Sequence, residues 1–170
     1  PKEKLAERMQ LEAERMRHLT LDAKEFEQEI KVVMEERRLR TDDQPQAMLF
    51  EQMSAVALQA HPYRVPVIGW MNDLESMTVQ DAHDWYDPWY VPNNAFLVVV
   101  GDVAHQDVFR LAEQHYGALA PRALPVRKPQ VEPEQRGIRR LTVKAPAELP
   151  VVVMAYKVPV LRDVDKDVDP

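Results

Sequence analysis

Residues 94–102, Asn94-Ala95-Phe96-Leu97-Val98-Val99-Val100-Gly101-Asp102, decide how the fold is read. Six consecutive apolar residues, the last three β-branched, stop at a Gly-Asp turn, which is the pattern of a short strand buried on both faces. Beyond that turn the sequence enters a helix from about His105 to Tyr116, with Gly117 placed to cap its end. On the other side, Pro88 and Pro92 limit a short helix whose start is marked by the capping pair Thr78 and Asp81. Two more stretches, 138–144 and 151–156, read as strands joined by residues 145–150. Two strands alone are marginal in water, so this hairpin calls for partners, from the first region or from strands outside the chain.

The N-terminal part reads as helices. Between Lys2 and Gln44 there is neither Gly nor Pro, and 22 of the first 44 residues are charged, which suits solvated helices. Leu5, Met9, Ala13 and Met16 recur at helical spacing on a first helix that stops near His18 to Thr20. Asp22 and Glu25 form a capping box for a second helix, running to about Arg40 with Phe26, Ile30 and Val33 as its buried stripe. A third is expected from Gln46 to about Ala60, followed by an ordered loop over 63–77 that contains Pro66 and Gly69. Four prolines between Pro121 and Pro133 mark an extended, stiff linker.

At 170 residues, 45% hydrophobic and 29% charged, the composition is that of a soluble globular protein of about one domain. The longest apolar runs hold six residues, far below the roughly 20 that cross a bilayer, so no membrane span is expected. A net charge of −6, with acidic residues bracketing Arg37, Arg38 and Arg40, argues against nucleic-acid binding. Having no Cys removes disulfides, catalytic thiols and Cys-based zinc sites. The start, Pro1-Lys2-Glu3-Lys4, has neither initiator Met nor signal-like apolar segment, and the chain is expected to be an excised piece.

The five histidines form no H-x-H, H-E-x-x-H or H-x-x-E-H pattern, so a complete catalytic zinc site is not expected within the chain. There is no G-x-S-x-G elbow, and the four glycines are too dispersed for a phosphate-binding loop. What remains is an acidic helix face. Glu29 and Glu36 lie seven apart, within about 20° of one azimuth and about 10.5 Å apart along the axis. At the edge of the apolar stripe they are either a solvated face or half-buried carboxylates that seek a metal or cation. Tyr63, Trp70, Trp85, Tyr86, Trp89 and Tyr90 either pack the core or line a peptide-binding cleft.

Several of these residues stand in an order that resembles a known family. Ala13-Glu14-Arg15-Met16, then Glu29-Ile30-Lys31-Val32-Val33-Met34-Glu35-Glu36-Arg37, His61-Pro62-Tyr63 with Gly69, Trp89-Tyr90-Val91-Pro92-Asn93-Asn94-Ala95 and Gly101-Asp102-Val103 resemble the pitrilysin/insulinase family of zinc metallopeptidases. The likeness is greatest to bacterial members related to mitochondrial processing peptidase. It continues through Gly137-Ile138-Arg139-Arg140 and Pro146-Ala147-Glu148-Leu149-Pro150, and so covers nearly the whole chain.

The resemblance implies an α+β fold, part of a two-domain peptidase in which each domain is an α/β roll, an antiparallel sheet packed on helices. Residues 1–120 would be the later part of the first, zinc-bearing domain, 121–136 the linker, and 137–170 the opening strands of the second. It also implies Glu36 as a zinc ligand and Glu29 as a carboxylate supporting the site from behind. The H-x-x-E-H helix that supplies the two histidines and the general base would precede residue 1. The parent is then expected to cleave peptides or unfolded proteins with a zinc-activated water, while this segment alone binds no zinc and is inactive. The alternative is a catalytically silent relative acting as a structural or substrate-presenting subunit. A homo- or hetero-oligomer with a family partner is expected, in the periplasm or else the cytoplasm.

Overall fold

The computed structural model describes residues 2–158. After a single turn at Lys2–Lys4, helix α1 (Leu5–His18) buries Met9, Ala13 and Met16, three of the four stripe positions, and packs on α6 (His105–Tyr116), where Leu111 is buried. Asp22 caps α2 (Ala23–Arg37) by accepting hydrogen bonds from the N–H groups of Lys24 and Glu25 at 2.9 and 3.0 Å. A π-helical turn (Arg38–Asp42) follows without a break and leads to α3 (Pro45–Ala57), which starts on a proline where no N–H is needed.

The region expected to be loop is partly helical, with a short turn at Pro62–Arg64 and α4 (Met71–Ser76), whose Leu74 is buried. Helix α5 (Val79–Trp89) opens on the expected capping box, Thr78 and Asp81 each bonding the other's backbone N–H. Pro88 lies within its last turn instead of beyond it. Helix α2 packs on α4 and α5, and the Tyr86 hydroxyl donates to the Arg15 carbonyl at 2.6 Å, tying α5 to α1.

The expected α+β class does not hold. Among the described residues there are helices and turns but no strand, and hence no antiparallel sheet or roll. Residues 95–100, 138–144 and 151–156 carry no strand, and Phe96, Val98 and Val100 are 91%, 70% and 93% exposed. The physical reason is the missing neighbour. A strand exists only by pairing with another about 4.8 Å away, and an apolar β-branched run supplies the propensity without the partner. The part of the expected second domain beyond residue 158 lies outside the described residues.

The proline-rich segment is, by contrast, fastened at intervals. Asn93 exchanges two hydrogen bonds with the backbone of Arg122, at 2.9 and 3.0 Å. The Arg127 guanidinium sits 4.4 Å from the centre of the Trp89 ring. Glu132 reaches the loop after α3, and Arg139 donates to the carbonyls of Val56 and Ala57 at 2.8 and 2.6 Å, satisfying the end of that helix.

Two outcomes are expected. Thr78→Ala removes the cap of α5 and should lower stability by about 1 kcal/mol in denaturant titration. The exposed apolar segments should make the isolated 170-residue chain self-associate, read as a mass above monomer in light scattering at tens of micromolar; a clean monomer would contradict this.

Candidate functional site

The carboxylates singled out in the sequence all lie on α2. Glu29 is exposed, and so is Glu35, which pairs with Arg38 at 3.0 Å. Glu36 is half-buried, its Oε1 held 2.9 Å from the Arg40 guanidinium one turn on. The seven-residue spacing thus leaves Glu29 in water and Glu36 at the margin of the packed region.

The residue after Glu36 is the buried one. Arg37, 5% exposed, makes a two-pronged pair with Glu51 of α3, Nη1 to Oε2 at 2.8 Å and Nη2 to Oε1 at 3.0 Å. Its Nη1 also donates to the Gly69 carbonyl at 2.8 Å, Asp42 lies 3.4 Å from Nη2, and the Trp70 ring centre is 5.9 Å from the guanidinium carbon. The hydrogen bonds that Arg37 donates to Glu51, with the negative charges of Glu51 and Asp42, raise the Arg37 pKa further, against the opposing effect of burial. Its Nε is buried without a partner. Gly69 has φ +86°, a conformation open to glycine, and so turns its carbonyl toward the arginine without strain. The sequence carries a signal for this cluster: 26, 30, 33 and 37 continue one stripe, so a charged residue falls on a core position and requires a buried partner.

A second polar centre has no local signal in the sequence, since it forms on the proline-rich linker. The Glu132 carboxylate accepts from three successive backbone N–H groups, those of Gln59, Ala60 and His61, at 2.8 to 3.0 Å, and from Lys157 at 2.9 Å. Those bonds hold its pKa far below the ordinary glutamate value. The aromatic group, in turn, is divided. Trp85 and Trp89 lie 5.4 Å apart on α5, Tyr86 of that helix lies 5.5 Å from Tyr90 just beyond its end, Trp70 covers Arg37, and Tyr63 is 79% exposed.

Among the described residues no three His, Cys, Asp or Glu side chains come together in a group that could hold a metal. A catalytic zinc needs three protein ligands, and Glu36 supplies one oxygen donor with an arginine already on it. The residues present therefore do not constitute a zinc site by themselves.

Residues 76–168 match the family described as the peptidase M16 inactive domain, more than half of the chain. The chain belongs to the peptidase M16 family. This bears out the pitrilysin resemblance read from the motifs. The M16 chain is 38% identical over 162 residues to the zinc protease PqqE of Helicobacter pylori, covering 93% of this chain and 36% of that protein. It is 26% identical to a probable mitochondrial-processing peptidase subunit beta of Schizosaccharomyces pombe, over 61% of this chain and 22% of that one. A crystal structure of a protease from Helicobacter pylori superposes with a TM-score of 0.71 at 38% identity, over 78% of this chain and 32% of the other. The M16 chain thus spans about a third of the Helicobacter pylori protein and less of the yeast one.

Arg37→Met should destabilise the fold by about 3–5 kcal/mol, since it strands Glu51 as an unpaired buried charge, whereas Arg37→Met with Glu51→Leu should recover most of that loss. Chemical denaturation of the single and double variants checks this; equal losses would show that the pair is not the source.

Proposed function

We propose that the protein containing this chain is a zinc metalloendopeptidase acting on peptides or unfolded polypeptides, and that the 170 residues are a catalytically incomplete part of it. The observation that carries the reading is family membership together with 38% identity, along almost the whole chain, to a zinc protease. In this reading Glu36 is the single metal ligand contributed here. Its position supports the assignment, half-exposed at the end of α2 and next to a residue anchored in the core. Glu29, about two turns away and exposed, acts only by tuning the field of the site. Residues 1–120 belong to the zinc-bearing part, 121–136 to the linker and 137–170 to the part that follows.

A silent, partner-type subunit is the second reading. It is favoured by one observation, that the matching family is described as an inactive domain. The intact Glu35-Glu36 doublet favours the peptidase, because a silent subunit has no need of a ligand.

In the full-length protein, Glu36→Gln should abolish both zinc retention after dialysis and peptide turnover while leaving the circular dichroism of the helices unchanged. Glu29→Gln should cost about 10–100-fold, and Glu35→Gln less. Metal analysis paired with turnover decides the order, and finding either histidine or the glutamate of H-x-x-E-H replaced upstream would move the protein to the silent class.

A further inference from the structure

The proline-rich segment is fastened at a point where it also forms the wall of a pocket. An open cavity of about 480 Å³ is lined on one side by Gln59, Ala60, Pro62, Arg64 and Trp70, and on the other by Gln130 from the proline-rich segment. Two residues beyond Gln130, Glu132 sits in the three N–H groups of residues 59–61, which are also part of the same loop. We propose that residues 121–139 are a clasped strap that walls one side of this open pocket, and that its fastening is a carboxylate-binding site built from the backbone N–H groups of Gln59, Ala60 and His61, which Glu132 fills.

Three features carry the assignment. Successive N–H groups directed at one point form an anion-binding concavity, and such groups left unpaired would be costly. Oε2 of Glu132 takes bonds from all three, at 3.0, 2.8 and 2.9 Å, while Oε1 takes Lys157 and a second approach from Gln59. The other fastenings differ in kind: a side-chain amide at Arg122, a ring face at Arg127 and helix carbonyls at Arg139. Among these fastenings, the Glu132 contact alone is made to residues that line the pocket, Gln59 and Ala60. Losing it frees Gln130 to move away while the strap stays attached at both ends, so the device widens the pocket without releasing the segment. Because the donors are backbone groups, any small carboxylate fits them equally well, including the C-terminus or an acidic side chain of a bound peptide. Such a group entering the pocket would displace Glu132 and lift the strap. The proposal does not depend on zinc or on peptidase activity.

The test is amide hydrogen exchange and limited trypsinolysis on the full-length protein. Glu132→Ala and the isosteric Glu132→Gln should each speed exchange at residues 59–61 by about tenfold or more and accelerate cleavage after Arg127. Glu134→Ala, an exposed acid two residues on, should do neither. Adding sodium formate to Glu132→Ala should restore protection at 59–61, where sodium chloride of equal ionic strength does not. Unchanged exchange and cleavage in both Glu132 variants would overturn the clasp. Loss of protection that formate cannot restore would overturn the carboxylate site. Glu132→Gln keeps the side-chain shape and secures the result should the alanine variant fold poorly.

Discussion

The arrangement of helices depends on one buried ion pair. Arg37 ends α2, Glu51 lies on α3, and the Gly69 carbonyl belongs to the segment leading into α4, so a single guanidinium holds three pieces of chain in register. Its five donors in a rigid plane suit this task as a lysine's would not. The apolar core is modest, with Met9, Ala13, Met16, Leu74, Val91 and Leu111 as its buried apolar side chains among the described residues. An ion pair taken out of water stabilises little in net terms, but removing one member leaves the other charge stranded. The pair therefore acts as a constraint on geometry more than as a source of stability. The π-helical turn directly after Arg37 shows the same constraint, since Asp42 is brought back toward the guanidinium across it.

Backbone polar groups explain much of the remainder. The chain outside the helices forms no ladder among the described residues, so its N–H and C=O groups and those at helix ends must find other partners. Arg139 answers the last carbonyls of α3, and Glu132 answers the N–H groups just beyond them, so both signs of orphaned group at one helix end are met from the same segment. That is why a proline-rich stretch, which would otherwise be a semi-rigid spacer, lies along the helices as a strap.

For function, Glu36 and Arg37 make an instructive pair of neighbours. One is a half-exposed carboxylate paired with Arg40, the other a core residue that fixes the helix end from which it projects. Membership of the M16 family and the likeness to zinc proteases are what support the proposal of Glu36 as a metal ligand. In the proposed function Glu36 is one donor of the three that a catalytic zinc takes, and no group of three His, Cys, Asp or Glu that could hold a metal occurs among the described residues.

The sequence by itself determined α1, α2, α3, α5 and α6, the Asp22 and Thr78 caps and the family, but not α4, which falls where a loop was expected. Apolar spacing of three and four, Asp22 before α2 and the Thr78–Asp81 box are local signals, and local signals survive whatever the rest of the chain does. The motif order carried the family in the same way. Tertiary structure decided everything that needs a distant partner. The stretch at 95–100 has a strand's composition, yet without a neighbour to pair with it stays an exposed extended segment. Arg37 could be placed on the α2 stripe from spacing alone, but its partners come from 14 and 32 residues away. Glu132, in a segment readable only as a linker, finds its donors 71 to 73 residues earlier. Periodicity reports which way a side chain faces along its own element. Which group it meets there is fixed only when the chain folds back, because burial and hydrogen bonding are properties of the contact and not of either residue.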